Sequence, residues 1–97
     1  MLLVIAMAGC AEAGTPLKPP KEYDYPFNGV IKLIKVNRDN VWEECSHSGK
    51  YRMRRDVAGC ARVEGNTCII HIAMLTKRAH VYDIFRHEQA HCNGWKH

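Results

Sequence analysis

The 97-residue chain has no hydrophobic run long enough to cross a bilayer. Residues Leu2 to Ala8 (LLVIAMA) are all apolar, but seven residues fall well short of the ~20 needed to span a hydrocarbon core of about 30 Å. The length suits the apolar region of a signal peptide, so residues 1–9 are expected to be a targeting segment rather than part of the fold. No Lys or Arg precedes the run, and the usual basic start of such a segment is missing. Internal repeats and low-complexity tracts are also absent, as is any Cys-x-x-Cys pair, which argues against a thiolate zinc site. The net charge of +4 is modest. Its densest stretch, Lys50-Tyr51-Arg52-Met53-Arg54-Arg55, reads as a solvated loop or an edge strand whose charges block aggregation, and nucleic acid is not expected as a partner.

The chemistry is concentrated at the other end. Residues 87–97 read His87-Glu88-Gln89-Ala90-His91-Cys92-Asn93-Gly94-Trp95-Lys96-His97. On a helix, residues four apart lie one above the other, so His87 and His91 can hold one Zn²⁺ from the same side. Glu88 can then sit beside the metal, where a carboxylate can take a proton from water. Gly94 supplies the positive φ that ends a helix and turns the chain back, which allows His97 to return as third ligand. Three neutral nitrogens leave a fourth tetrahedral position open. At 100° per residue, His80, Ile84, His87 and His91 fall on one stripe, with Val81, Phe85 and Cys92 beside it. His80 and Asp83 are expected to be solvated rather than to touch the site.

This eleven-residue pattern, HExxHxxGxxH, resembles the motif of the metzincin clan of zinc peptidases. The resemblance implies His87, His91 and His97 as ligands, Glu88 as general base and Gly94 as the turn. It further implies a small zincin-like α+β domain, in which a twisted sheet packs on the active helix. Metzincins continue into a methionine-containing turn beneath the metal, and this chain has no counterpart to it after His97. The floor of the site is therefore expected from residues before His97 or from a partner.

The start of the chain carries a second resemblance. Met7-Ala8-Gly9-Cys10 is similar to a bacterial lipobox, which would make Cys10 the lipid-attached first residue, while Ala6-Met7-Ala8 fits ordinary signal cleavage. Residues 10–28 contain Pro16, Pro19, Pro20 and Pro26 with little hydrophobic content. They read as an extended tether holding the domain, residues 29–97, roughly some tens of ångströms from a membrane. Localisation is accordingly expected in the bacterial cell envelope, facing the periplasm or exterior. With Cys10 on lipid, Cys45, Cys60, Cys68 and Cys92 remain, an even number that implies disulfides in an exported chain. Three connectivities are open. A bond across the Glu64-Gly65-Asn66 turn would join Cys60 to Cys68 and leave Cys45 with Cys92.

The domain is expected to follow the order β-α-β-β-α, with three strands in the sheet. Val30 to Val36 (VIKLIKV) reads as a strand, and Asn40 as the N-cap of a short helix with Glu43 three residues on and Gly49 past its end. Residues 58–63 and 67–73 form a hairpin. Thr76 or Lys77 opens the helix that runs to about Cys92. Ile69, Ile70, His71 and Ile72, just before that helix, are the expected platform on which a peptide adds as a strand. The function implied is an exported zinc endopeptidase acting on peptides or proteins, cell-wall peptides included. The alternative is a non-enzymatic envelope lipoprotein whose zinc site is a structural clasp for binding a partner.

Overall fold

A computed structural model describes residues 10–12, 18–45, 57–74 and 78–97. The targeting segment 1–9 with both its cleavage readings, Pro16, Gly49, the basic run 50–55 and the expected helix start at Thr76 or Lys77 lie outside the described residues.

Two of the strands, residues 30–36 and 67–73, form where β-branched residues concentrate. β2 (Val30–Val36) precedes a short helix, α1 (Val41–Cys45); β3 (Val57–Glu64) and β4 (Thr67–Ala73) then form the hairpin, and α2 (Arg78–Cys92) closes the order β-α-β-β-α. β4 pairs antiparallel with β3 and parallel with β2, from Val30 opposite Thr67 to Val36 opposite Ala73. A parallel neighbour requires a crossover, and α1 with β3 supplies it. The result is a mixed three-stranded sheet in the order β3-β4-β2, to which β1 (Cys10–Glu12) adds a short antiparallel strand on the outer edge of β3. No described helix is long and apolar enough to cross a membrane.

One helix covers each face of the sheet. Ala61, Cys68, Ile70 and Ile72 pack with Ile84 of α2, and Val81, Phe85 and Cys92 flank them, as the helical stripe requires. Ile70, Ile72 and Ile84 are almost wholly buried, each contributing about 1.5–3 kcal/mol of hydrophobic stabilisation. On the opposite face, Cys60 and Ala73 pack with Val41 and Cys45 of α1. The cap of this short helix lies three residues earlier than Asn40. Asn37, still extended as it leaves β2, accepts the Asp39 N–H at 3.0 Å and starts a 3₁₀ turn (Arg38–Asn40) that runs into α1.

The disulfides are Cys45–Cys60 and Cys68–Cys92, which overturns the expected Cys60–Cys68 and Cys45–Cys92 pairs. The reason is the parity of the hairpin. Cys60 lies opposite His71 and Cys68 opposite Val63, and the odd spacing of three residues along either strand puts the two cysteines on opposite faces. Each therefore bonds to the helix that covers its own face.

Residues 18–28, expected as part of the tether, lie against α2. Pro19 is buried, Asp24 forms an ion pair with Arg86, and the Phe27 N–H donates to Gln89 Oε1 at 3.1 Å. Asn93 Nδ2 donates to the carbonyls of Tyr23 and Tyr25 at 3.0 and 2.7 Å. This strap crosses the helix at the end that carries the histidines.

Candidate metal centre

His87 and His91 lie one turn apart on α2, both buried, and His97 returns to them from beyond the helix end. The return depends on the backbone at Gly94. The Gly94 N–H donates to the His91 carbonyl at 3.0 Å and the Trp95 N–H to the Ala90 carbonyl at 3.1 Å, the paired bonds of a Schellman cap. Gly94 takes φ +110°, a conformation that side-chain-bearing residues rarely adopt. The turn expected from the motif is thus present.

The three imidazoles converge. His91 Nε2 and His97 Nε2 lie 3.1 and 3.2 Å from His87 Nε2, and the candidate ligand atoms of all three lie within 4.8 Å of one another. Metal–nitrogen bonds of about 2.0–2.1 Å in a tetrahedron place ligand nitrogens about 3.3 Å apart, so the donor set fits a metal ion. His97 is exposed while the other two are buried, so the cluster opens to solvent on the His97 side. Among the described residues the cluster consists of these three, and includes neither His80 nor Asp83.

The protonation state suits a ligand. His91 Nδ1 lies 2.6 Å from the Trp95 carbonyl oxygen, which can only accept, so Nδ1 carries the hydrogen and Nε2 is left to face the other nitrogens. The His91 imidazole is pushed down to about 4, chiefly by burial, with the hydrogen bond to the Trp95 carbonyl opposing the shift and the neighbouring His87 and His97 adding to it. It is neutral near pH 7.

Glu88, next to His87, is fully buried, with its Cγ close to Gly59 of β3: a Cβ built on Gly59 would lie 3.6 Å from it. The floor comes from Trp95. Its indole is stacked on the His91 ring, with centroids 4.8 Å apart and planes at 11°, and also meets His87 and His97 at 5.0 and 4.7 Å. Neither Trp95 nor Gly59 was among the site residues read from sequence. Trp95 held one clue, its place directly after the helix-ending glycine, where a Schellman cap turns an apolar residue back onto the helix.

The strand expected as a peptide platform lies inside the sheet. Ile69, Ile70, His71 and Ile72 belong to β4, which is bonded to β3 on one side and β2 on the other and so has no free edge to offer. His71 faces away from α2, toward Glu44 of α1 at 3.8 Å. Cys10 enters the sheet through its backbone in β1, opposite Cys60.

No protein-family model matches the chain, and neither a curated protein nor a solved structure does.

Proposed function

We propose that this chain is an exported zinc-dependent peptidase. The observation that carries the reading is the convergence of His87, His91 and His97 at ligand spacing with a buried carboxylate, Glu88, adjoining the first of them. Zn²⁺ held by the three nitrogens would polarise a scissile carbonyl and lower the pKa of a water in its open position. Glu88 would accept one proton from the attacking water as its oxygen adds to the carbonyl carbon, and would pass that proton to the amine nitrogen as the C–N bond breaks. The Trp95 carbonyl, bonded to His91 Nδ1, would hold the His91 Nε2 toward the other two ligand nitrogens.

The substrate in this reading is an extended peptide, with cell-wall peptides one source. It would lie along the outer edge of β3, the strand whose Gly59 faces Glu88, where Cys10–Glu12 pairs in the structure. Export is supported by the two disulfides, which belong to oxidising compartments, and by the lipobox-like residues ending at Cys10. Lipid on Cys10 would anchor the domain to the envelope membrane.

The decisive experiment pairs metal analysis with hydrolysis. One zinc per chain is expected for wild type, with loss or loosening in His97→Ala. Glu88→Gln should retain zinc and lose peptide cleavage by at least about 100-fold. Wild-type cleavage by Glu88→Gln refutes the base assignment. Zinc binding without cleavage of any peptide or wall fragment points instead to the structural clasp, a reading also compatible with the close packing of Trp95 around the ligands.

A further inference from the structure

We infer that Trp95 is the positioning residue of the metal centre, acting through two different parts of itself. Its backbone carbonyl fixes the tautomer and tilt of His91, and its indole braces all three ligand rings at once. The inference rests on the three histidines binding a metal and is independent of peptidase activity.

Three observations support it. Trp95 is only 8 % exposed. What it touches is the ligand set: stacked on His91, edge-on to His87 at 68°, and tilted at 47° against His97. His97 is exposed and lies beyond the helix, with no regular element of its own to orient it. The ring of Trp95 supplies that orientation. Metal binding also draws electron density from an imidazole, and a π face stacked on His91 favours the ring carrying more positive charge, by the electrostatics that attract cations to indole. The Schellman bonds at Gly94 and Trp95 determine where the indole goes, so cap, floor and ligand turn are one structure.

Side-chain substitutions separate the two parts, because the carbonyl remains in every variant. Zn²⁺ affinity is measured on the full chain by competition with a chromophoric chelator, alongside the melting temperature of the metal-free protein. Trp95→Leu, which keeps apolar bulk without a ring, should weaken Zn²⁺ binding by about 10- to 100-fold, the usual range for groups that orient ligands. Trp95→Phe should recover most of that loss. The chain has two tryptophans, so in a Trp42→Phe background Trp95 fluorescence should be quenched stoichiometrically by Co²⁺, an optically absorbing substitute for zinc. Equal Zn²⁺ affinity in wild type and Trp95→Leu, even with a lowered melting temperature, would reduce Trp95 to a structural filler and overturn the inference. A wild-type chain that binds no Zn²⁺ overturns the three-histidine reading itself, and this inference with it.

Discussion

Gly59 of β3 lies directly against Glu88 and Ile84 of α2: a Cβ at position 59 would sit 3.0 Å from Ile84 Cγ2, 3.6 Å from Glu88 Cγ and 2.9 Å from the His71 carbonyl oxygen. The missing side chain is what lets the helix approach the sheet closely enough to bury the carboxylate. Replacement by Ala crowds a backbone oxygen that cannot move independently, and Val adds two further methyl groups. Gly59→Ala should cost about 1–3 kcal/mol by overpacking, and Gly59→Val more, in urea-unfolding measurements. If Glu88 is the base, peptide cleavage by Gly59→Ala should fall through kcat while zinc content is retained, because the atoms nearest a Cβ at position 59 belong to Ile84, Glu88 and the His71 backbone rather than to a ligand imidazole.

The disulfides divide the work between the two faces. Cys68–Cys92 ties the end of α2 to β4, one residue past His91, whereas Cys45–Cys60 ties α1 to the opposite face. Closing loops with separations of 24 and 15 residues should stabilise the fold by about 3 kcal/mol each in the chain-entropy account. The paired substitution Cys45→Ala with Cys60→Ala should therefore lower the melting temperature and leave Zn²⁺ affinity near wild type below that temperature. Removing Cys68 and Cys92 together should lower both, since the last helical turn then frays and carries His91 with it. Chelator competition on the two double variants checks the asymmetry.

Local and non-local information part company at this point. The last turns of the helix, its glycine cap and all three converging histidines were legible because they lie within eleven consecutive residues and depend on helical spacing and one glycine turn. The hairpin was legible for a similar reason. Disulfide pairing was not, because it depends on which face each strand residue takes and on which helix covers that face. Nor was the inner position of β4, since β2 reaches it only through a parallel crossover that leaves no mark in either strand. The strap over α2 was read as a spacer because its proline content suits an extended chain in either role. Its anchors, Asp24 to Arg86 and Asn93 to the Tyr23 and Tyr25 carbonyls, join residues more than sixty positions apart.

Acid should destabilise the metal-free protein in two stages. His91 has a folded value of about 4 against an ordinary value of 6.5, so the unfolded chain takes up the proton first as the pH falls. Stability is therefore lost between about pH 6.5 and 4, by about 3 kcal/mol at about 1.4 kcal/mol per unit. Asp24 acts lower down. The Arg86 guanidinium bonded to it holds its carboxyl below 3.8, and the stability it adds is present above 3.8 and disappears as the pH falls through its folded value. Melting temperatures of metal-free wild type across this range should show both stages. Asp24→Asn should lack the lower stage, and His91→Gln should show a smaller upper one.

The pairing of β1 with β3 makes the last prediction. Ala11 lies opposite Gly59, so the chain's own backbone occupies the strand edge beside Glu88. In the peptidase reading, an extended substrate seated on that edge would have to displace residues 10–12. Ala11→Pro removes one N–H from the short strand and fixes its φ, both of which weaken antiparallel pairing, while leaving α2 and the ligands untouched. Amide exchange at Gly59 and Cys60 should quicken in this variant, and cleavage of a supplied peptide should rise through a lower KM with kcat little changed. Faster exchange without any change in KM would mean that the edge opens but is not where the peptide lies. Unchanged exchange would mean that β1 contributes nothing to guarding it.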